Sequence, residues 1–260
     1  MPTVTVLLPV YNGEAYLEKS IQSVLSQSYQ DLEILILNDG STDGSLEIAD
    51  KFSLIDKRIK IINFSNHIGL AGALNHGVRQ ARGLFLARID SDDEWLDHDK
   101  IKKQAEFLAN NPDYGLVGVK ALLTSEKGEA AGKIEFSEND GDIRKKILIK
   151  NQFLHSGIMM EKEAAVKCGL YDEKEKYVED YGLWLRLGQF YKFKNLPFFG
   201  LKYRLNPRGV TAVKNRKQVV NSFKLVIRFR RQYPNFFMAC LKWILRCAQA
   251  FLASLFRMKD

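Results

Sequence analysis

The sequence predicts an α/β fold, a mostly parallel sheet flanked by helices, with a basic helical C-terminal extension. Short apolar runs alternate with amphipathic segments between Val4 and Trp95. The polar turns after the first, second and fourth runs would meet at one sheet edge. Charge is also uneven: Lys202 to Asp260 carries fourteen Lys and Arg against one acid, while the remainder carries 25 bases and 30 acids, within a net charge of +8.

Val4 to Val10 reads as the first strand, stopped by the turn-forming Asn12-Gly13. Leu17, Ile21, Val24 and Leu25 share one helical face, and Leu32 to Leu37 is the second strand. A second amphipathic stretch holds Leu46, Ile48, Ala49 and Phe52. Ile59 to Ile62 is the third strand, and Leu70, Ala73, Leu74, Val78 and Ala81 mark a third helix. Strands separated by helices of this length imply parallel pairing through right-handed crossovers. The fourth run, LFLARIDSDDEW over residues 84–95, ends abruptly in Asp90, Asp92 and Asp93. A helix with Ile101, Ala105 and Leu108 and a strand from Leu116 to Leu123 follow. Gly128 to Asp142 is polar enough to be a mobile loop or lid. A second site region spans Asn151 to Trp184, with His155 and Ser156 before an apolar run and Glu179-Asp180 before Leu183-Trp184-Leu185.

At 260 residues and 46% hydrophobic composition the chain can bury a sizeable core, which excludes disorder and favours one large domain with an appendage. The amino terminus has no basic n-region and reads as a strand rather than a secretory signal, so the α/β part is expected in the cytosol. Cys168, Cys240 and Cys247 form neither a C-x-x-C pair nor a disulfide framework. Neither G-x-G-x-x-G after the first strand nor a P-loop is present, which removes two standard phosphate cradles.

Ligands in open α/β sheets sit at the carboxyl ends of strands, where the Asp cluster falls. Asp residues one apart can offer hard oxygen ligands to Mg2+ or Mn2+, ions suited to phosphate-bearing substrates. The alternative is an acidic turn capping the helix that begins near Asp97 to Asp99.

Five motifs in order resemble the family 2 glycosyltransferases of the GT-A, Rossmann-like fold over roughly residues 3–211: PVYNGE from Pro9, NDGSTD from Asn38, GLAGALNHG from Gly69, ARIDSDD from Ala87 and VEDYGLWLR from Val178. The resemblance implies a transferase domain over 1–211, an extension over 212–260, and inverting transfer of one sugar from a nucleotide donor, usually UDP-linked, to an acceptor hydroxyl. It implies Mn2+ or Mg2+ at Asp92, with Asp90 toward the ribose or the metal, and Asp180 as base with Glu179 beside it. Pro9, Tyr11, Glu14 and Asp39 match nucleoside-binding positions, to which Asn75 and Arg88 are added. His155, Trp184 and Arg208 are candidates for acceptor or diphosphate contact. Gln152 and the His155-Ser156-Gly157 run depart from the family pattern, and no Q-x-x-R-W follows Trp184, so one sugar per encounter is expected. A sugar-phosphate nucleotidyltransferase would want a Gly-rich basic loop after the first strand, which PVYNGEAYLEKS is not. A non-catalytic nucleotide-sugar-binding or scaffold subunit is the rival from another class.

In the extension, Val219, Val220, Phe223, Val226 and Ile227 lie on one helical face, and apolar spacing resumes from Phe236 to Leu255. Lys242 and Arg246 leave too short an uncharged run to span a bilayer. A basic helix carrying Trp243 and Phe251 predicts attachment to an anionic membrane surface, on the cytoplasmic face and near a saccharide or lipid-linked acceptor. Packing on the body or on a second subunit is the alternative. Nucleic acid is not expected as a partner.

Overall fold

A computed structural model describes residues 3–207 and 215–256. The elements in order are β1 (Val4–Val10), α1 (Glu14–Leu25), β2 (Leu32–Asn38), α2 (Ser45–Ile55), β3 (Ile59–Asn63), α3 (Leu70–Gln80), β4 (Phe85–Arg88) and β5 (Glu94–Trp95). Then come α4 (Lys100–Asn110), β6 (Tyr114–Thr124), β7 (Ala130–Ile134), α5 (Asp140–Ile147), β8 (Met159–Glu161), α6 (Lys162–Lys167), α7 (Glu179–Leu187) and β9 (Lys192–Arg204). Two helices, α8 (Asn215–Arg228) and α9 (Phe236–Phe256), close the chain.

The strands form one sheet in the order β3-β2-β1-β4-β8-β6-β9-β5, with β7 paired to β6. The first four are parallel, as the alternating pattern predicts. β8 runs antiparallel to both neighbours, and β6 pairs in parallel with β9, so the second half is mixed. Because β1, β2 and β4 are parallel, Val10, Asn38 and Arg88 end at one edge, and the turns that follow them meet there.

Alternate residues of β1 and β2 point to opposite faces, and both faces are buried, which is why these strands read as continuous apolar runs. Val6, Leu8, Ile34 and Ile36 pack beneath α1 and α4 residues such as Leu17, Ile21 and Ile101. Leu7, Leu35 and Leu37 face α3, with Ala73, Leu74 and Val78, in an apolar layer that continues to Trp184, Val226 and Trp243. Each fully buried Leu, Ile or Val contributes about 1.5–3 kcal/mol, so these two layers hold the sheet edge in place.

Residues 128–142 are not a loop or lid throughout. β7 pairs with β6 in antiparallel register, with Leu122 opposite Lys133, and α5 starts at Asp140. Polar composition concealed the hairpin because β7 is an exposed edge strand with no core face to mark its period.

The extension docks on the body. Trp243, 4% exposed, donates its indole N–H to the Leu148 carbonyl at 2.8 Å, and the Tyr233 hydroxyl donates to the Leu185 carbonyl at 3.0 Å. Trp243 therefore faces protein, a correction to its expected place among lipid headgroups. A buried indole N–H needs an acceptor, and the body supplies one. No helix among the described residues is long and apolar enough to cross a membrane.

Candidate active site

The turn after β1 and the turn after β2 interlock. Asn12 takes a positive φ of 51°, which Asn tolerates, and its side-chain oxygen accepts the Thr42 N–H at 2.8 Å. Gly40, at φ 70°, brings its α-carbon so close to the Asn66-His67 backbone that an added Cβ would lie 2.8 Å from it. Glu14 accepts the Gly44 N–H at 2.7 Å, joining the starts of α1 and α2. Pro9 is buried within β1 and pairs with Leu37.

Asp39 is buried and accepts from the N–H groups of Ile68 at 2.7 Å and Gly69 at 3.0 Å, with His67 Nδ1 at 2.9 Å from its carboxylate. It thus shapes the loop that delivers α3. Tyr11 is exposed, not core, and its ring lies 4.1 Å from the His67 ring. Together they form an aromatic ledge beside Asp39. Sequence reading passed over His67, which stands in none of the five motifs.

Asp90, Asp92 and Asp93 each offer a carboxylate oxygen within 4.8 Å of the others. The helix-capping alternative is excluded, since Asp99 occupies the N-cap of α4. Arg88, 1% exposed, grips both oxygens of Asp90. Ser156 accepts the Asp90 N–H at 2.8 Å and donates to its carboxylate at 2.9 Å. The Asn206 amide donates to Asp92 at 3.0 Å, and the Arg204 N–H donates to Asp93 at 2.9 Å. Arg204 also donates to the Asp92 carbonyl at 3.0 Å and to Glu94 at 2.8 Å, so it braces the whole turn. The long strand that delivers it, β9, shows no clean period of two in KFKNLPFFGLKYR.

Burial, and after it the Asp90 charge, raises the Asp92 carboxyl. Burial, then Asp90 and Asp92, pushes Asp93 well above the ordinary carboxylate range. One Asp93 oxygen is buried without a hydrogen-bond partner. Converging carboxylates that repel one another, with an unsatisfied oxygen among them, fit a hard divalent cation.

The second carboxylate pair opens α7. Glu179 is 9% exposed, and burial followed by the neighbouring Asp180 pushes it up to about 7. Asp180 is half-buried and accepts from the Asn151 amide at 3.2 Å; burial raises its carboxyl, while the Arg88 charge lowers it. Arg88 and Asp90 thus act electrostatically on Asp180, a residue ninety positions away from Asp90 in the chain.

Asn75 is buried, its amide donating to the Tyr171 carbonyl at 2.8 Å and accepting the Tyr171 N–H at 3.0 Å. The Tyr171 hydroxyl in turn meets His155 Nε2 at 2.9 Å. Burial, and secondly the Arg88 charge, holds His155 well below the ordinary range, so its imidazole is neutral at pH 7. Trp184 is fully buried behind His155, with ring centroids 5.6 Å apart in an edge-on arrangement. Arg208 lies outside the described residues.

Residues 5–173 match the family described as Glycosyl transferase family 2. The chain belongs to that family. As a family 2 glycosyltransferase it is similar to an uncharacterized glycosyltransferase of Haemophilus influenzae, 31% identical over 84% of this chain and 70% of the relative. It is similar to a putative glycosyltransferase, EpsE, of Bacillus subtilis, 36% identical over 71% of this chain and 66% of the relative. The O-antigen biosynthesis glycosyltransferase WbnJ of Escherichia coli is 33% identical over 71% of both chains. Among solved structures, the mannosyltransferase PcManGT of Pyrobaculum calidifontis, in complex with GDP-Man and Mn2+, superposes with a TM-score of 0.70 at 18% identity, covering 99% of this chain and 79% of that one. TarS of S. aureus, residues 1–349 with UDP-GlcNAc, gives 0.72 at 16% identity over 95% and 72%. These likenesses establish the GT-A α/β fold of this family 2 glycosyltransferase.

Proposed function

We propose that this protein transfers one sugar, with inversion and without processivity, from a nucleotide donor, UDP-linked by preference, to an acceptor hydroxyl in cell-surface polysaccharide, lipopolysaccharide or glycolipid synthesis. The observation that carries the reading is the convergence of Asp90, Asp92 and Asp93, whose carboxylate oxygens lie within 4.8 Å of one another at the sheet edge, with a second carboxylate, Asp180, within the electrostatic reach of Arg88 and Asp90.

In this reading residues 1–211 are the transferase unit and 212–260 the extension. Tyr11 and Asp39, with Pro9 and Glu14 holding the turns around them, receive the nucleoside. Asn75 acts from behind by fixing the Tyr171 turn, and Arg88 by holding Asp90 toward the donor. Asp92, with Asp90, would hold Mn2+ or Mg2+, which when bound neutralises charge on the departing diphosphate. Arg204 and Asn206 keep the Asp turn in register while the donor is bound.

Asp180 takes the proton of the attacking hydroxyl. Asn151 fixes one of its oxygens, and its partial exposure lets an acceptor approach. A positioned base contributes about 10²–10⁴ in rate. Glu179 stands behind it as a second proton store, and neutral His155 orders the acceptor side over Trp184. The exposed apolar side of α9 supports peripheral attachment to the cytoplasmic face of the membrane.

The test is Asp180→Asn. Loss of transfer with donor binding retained is the expected result; full transfer would remove Asp180 from the role of base.

A further inference from the structure

An open pocket of about 400 Å³ lies between the loop after β7, the end of α5 and the side of α9. Its lining includes Phe136, Lys146, Lys150, Gln152 and Lys242. None of the ion pairs among the described residues engages Lys146, Lys150 or Lys242. Lys146 donates to the Ser137 hydroxyl at 3.0 Å, and Lys150 sits over the Phe136 ring at 5.4 Å. The one carboxylate of the lining, Glu135, is already engaged by Lys120 at 3.0 Å and by Lys133 at 3.5 Å, so it does not pair with the three lysines. Burial, then the charges of Arg246 and Lys150, holds the Lys242 ammonium below the ordinary lysine range. The pocket is thus a concentration of uncompensated positive charge, which an anion would relieve.

Lys242 also borders a second feature. On α9, Ala239 and Trp243 face the body, and the opposite arc leaves Phe237 at 88%, Leu241 at 63% and Leu245 at 56% exposure. Met238 and Leu245 stand four before and three after Lys242, so they flank it on the helix surface. Apolar arc and cationic pocket are therefore continuous, with Lys242 at the seam. One amphiphile can satisfy both, its phosphate among the lysines and its hydrocarbon along α9. A soluble phosphate would leave the arc uncovered. A second copy docking through the same arc would bring a second Lys242 and Arg246 to the rim, like charge against like.

We propose that Lys146, Lys150 and Lys242 form a headgroup subsite for the phosphate or diphosphate of a lipid-linked acceptor. The subsite rests on the transferase reading for its use. Lys150 and Gln152 flank Asn151, whose amide holds Asp180. An acceptor anchored there by its phosphate has its saccharide end next to the base.

The test uses the intact chain with phosphatidylcholine vesicles doped either with phosphatidate, a lipid phosphomonoester, or with phosphatidylglycerol at matched surface charge. Wild type should prefer phosphatidate. Each of Lys146→Gln, Lys150→Gln and Lys242→Gln should weaken that binding about fivefold, the effect of one cationic charge near an anionic surface. The triple variant should lose the preference, while Lys242→Arg keeps it and reports that the helix still docks. Equal binding of both lipids by wild type, or an unchanged preference in the triple variant, would overturn the proposal. Inorganic pyrophosphate binding without vesicles as tightly as the doped membrane would make this a soluble-anion site and overturn it too. So would a stable dimer in solution that Leu241→Asp dissociates, because the arc would then belong to a second copy. Nucleotide-sugar binding by each variant is measured separately; its absence in wild type would count against the transferase reading and leave the lipid result to stand or fall alone.

Discussion

The two carboxylate groups of the site are held by opposite means. The Asp90–Asp93 turn is gripped by charge and hydrogen bonds from four directions: Arg88, Ser156, Arg204 and Asn206. Among the described residues Glu179 and Asp180 have one side-chain hydrogen-bond partner, Asn151, and owe their state to burial at the start of a helix. A group braced by ions keeps its geometry despite the repulsion inside it, a repulsion that the cation of the proposed function would relieve. A group set by burial is instead raised in proton affinity, a shift that suits the proton transfer proposed for Asp180.

The strongest way to break the contrast is to remove one member of each group. Asp180→Asn should lower turnover about 10²–10⁴-fold with donor affinity unchanged. Asp92→Ala should instead lose metal-dependent protection by the donor against thermal unfolding. Equal behaviour of the two variants in both assays would show that the groups are not functionally distinct.

Arg88→Met leaves Asp90 without its ion pair. Removing one partner of a buried pair costs about 3–5 kcal/mol, and because Asp90 keeps a third of its side-chain exposure the loss should lie at or below the lower end. Denaturant unfolding measures it; a change under about 0.5 kcal/mol would mean that the brace is not structural.

Glu179 sharpens the comparison through pH. Its carboxyl goes from an ordinary value of 4.5 to about 7 on folding, so the folded state binds the proton more tightly. Stability from this group is therefore fully present below pH 4.5 and is lost as pH rises through 7, by about 3 kcal/mol in all. Glu179→Gln should stabilise the protein at pH 8 and change little at pH 4, read as thermal midpoints. The same difference at both pH values would rule out titration as the cause.

The smallest effect is expected at the aromatic ledge. Tyr11→Ala removes an exposed ring beside His67 and should weaken nucleotide binding about fivefold, the lower bound of base stacking on an aromatic side chain. Its thermal midpoint should not move, and calorimetry of nucleotide binding would detect the change.

Much of this site was legible before folding because its carriers stand at strand ends. A strand buried on both faces must be apolar, so the sudden charges of Asp39 and Asp90–Asp93 stand out against Leu32–Leu37 and Phe85–Ile89. His67 and Arg204 carried no such contrast. His67 matters through a ring contact with Tyr11, fifty-six positions earlier in the chain, and Arg204 through hydrogen bonds to a turn about 110 residues before it. Asn75 had a functional motif around it, yet its amide is engaged on the Tyr171 backbone, a partner that no helical spacing reveals.

By itself, the amino-acid order determined the parallel strands β1 to β4, the polar turns at their ends, the Asp cluster and the basic extension. Each follows from local periodicity or from charge set against an apolar run. Tertiary structure alone decided the antiparallel β8 between β4 and β6, the hairpin of β7, the brace of Arg204 and the face of α9 that meets the body. α9 carries apolar residues on more than one side of Lys242 and Arg246, so its own sequence does not say which apolar side is inward. The face that turns inward carries Ala239, Trp243 and Cys247, and there the Trp243 indole finds the Leu148 carbonyl.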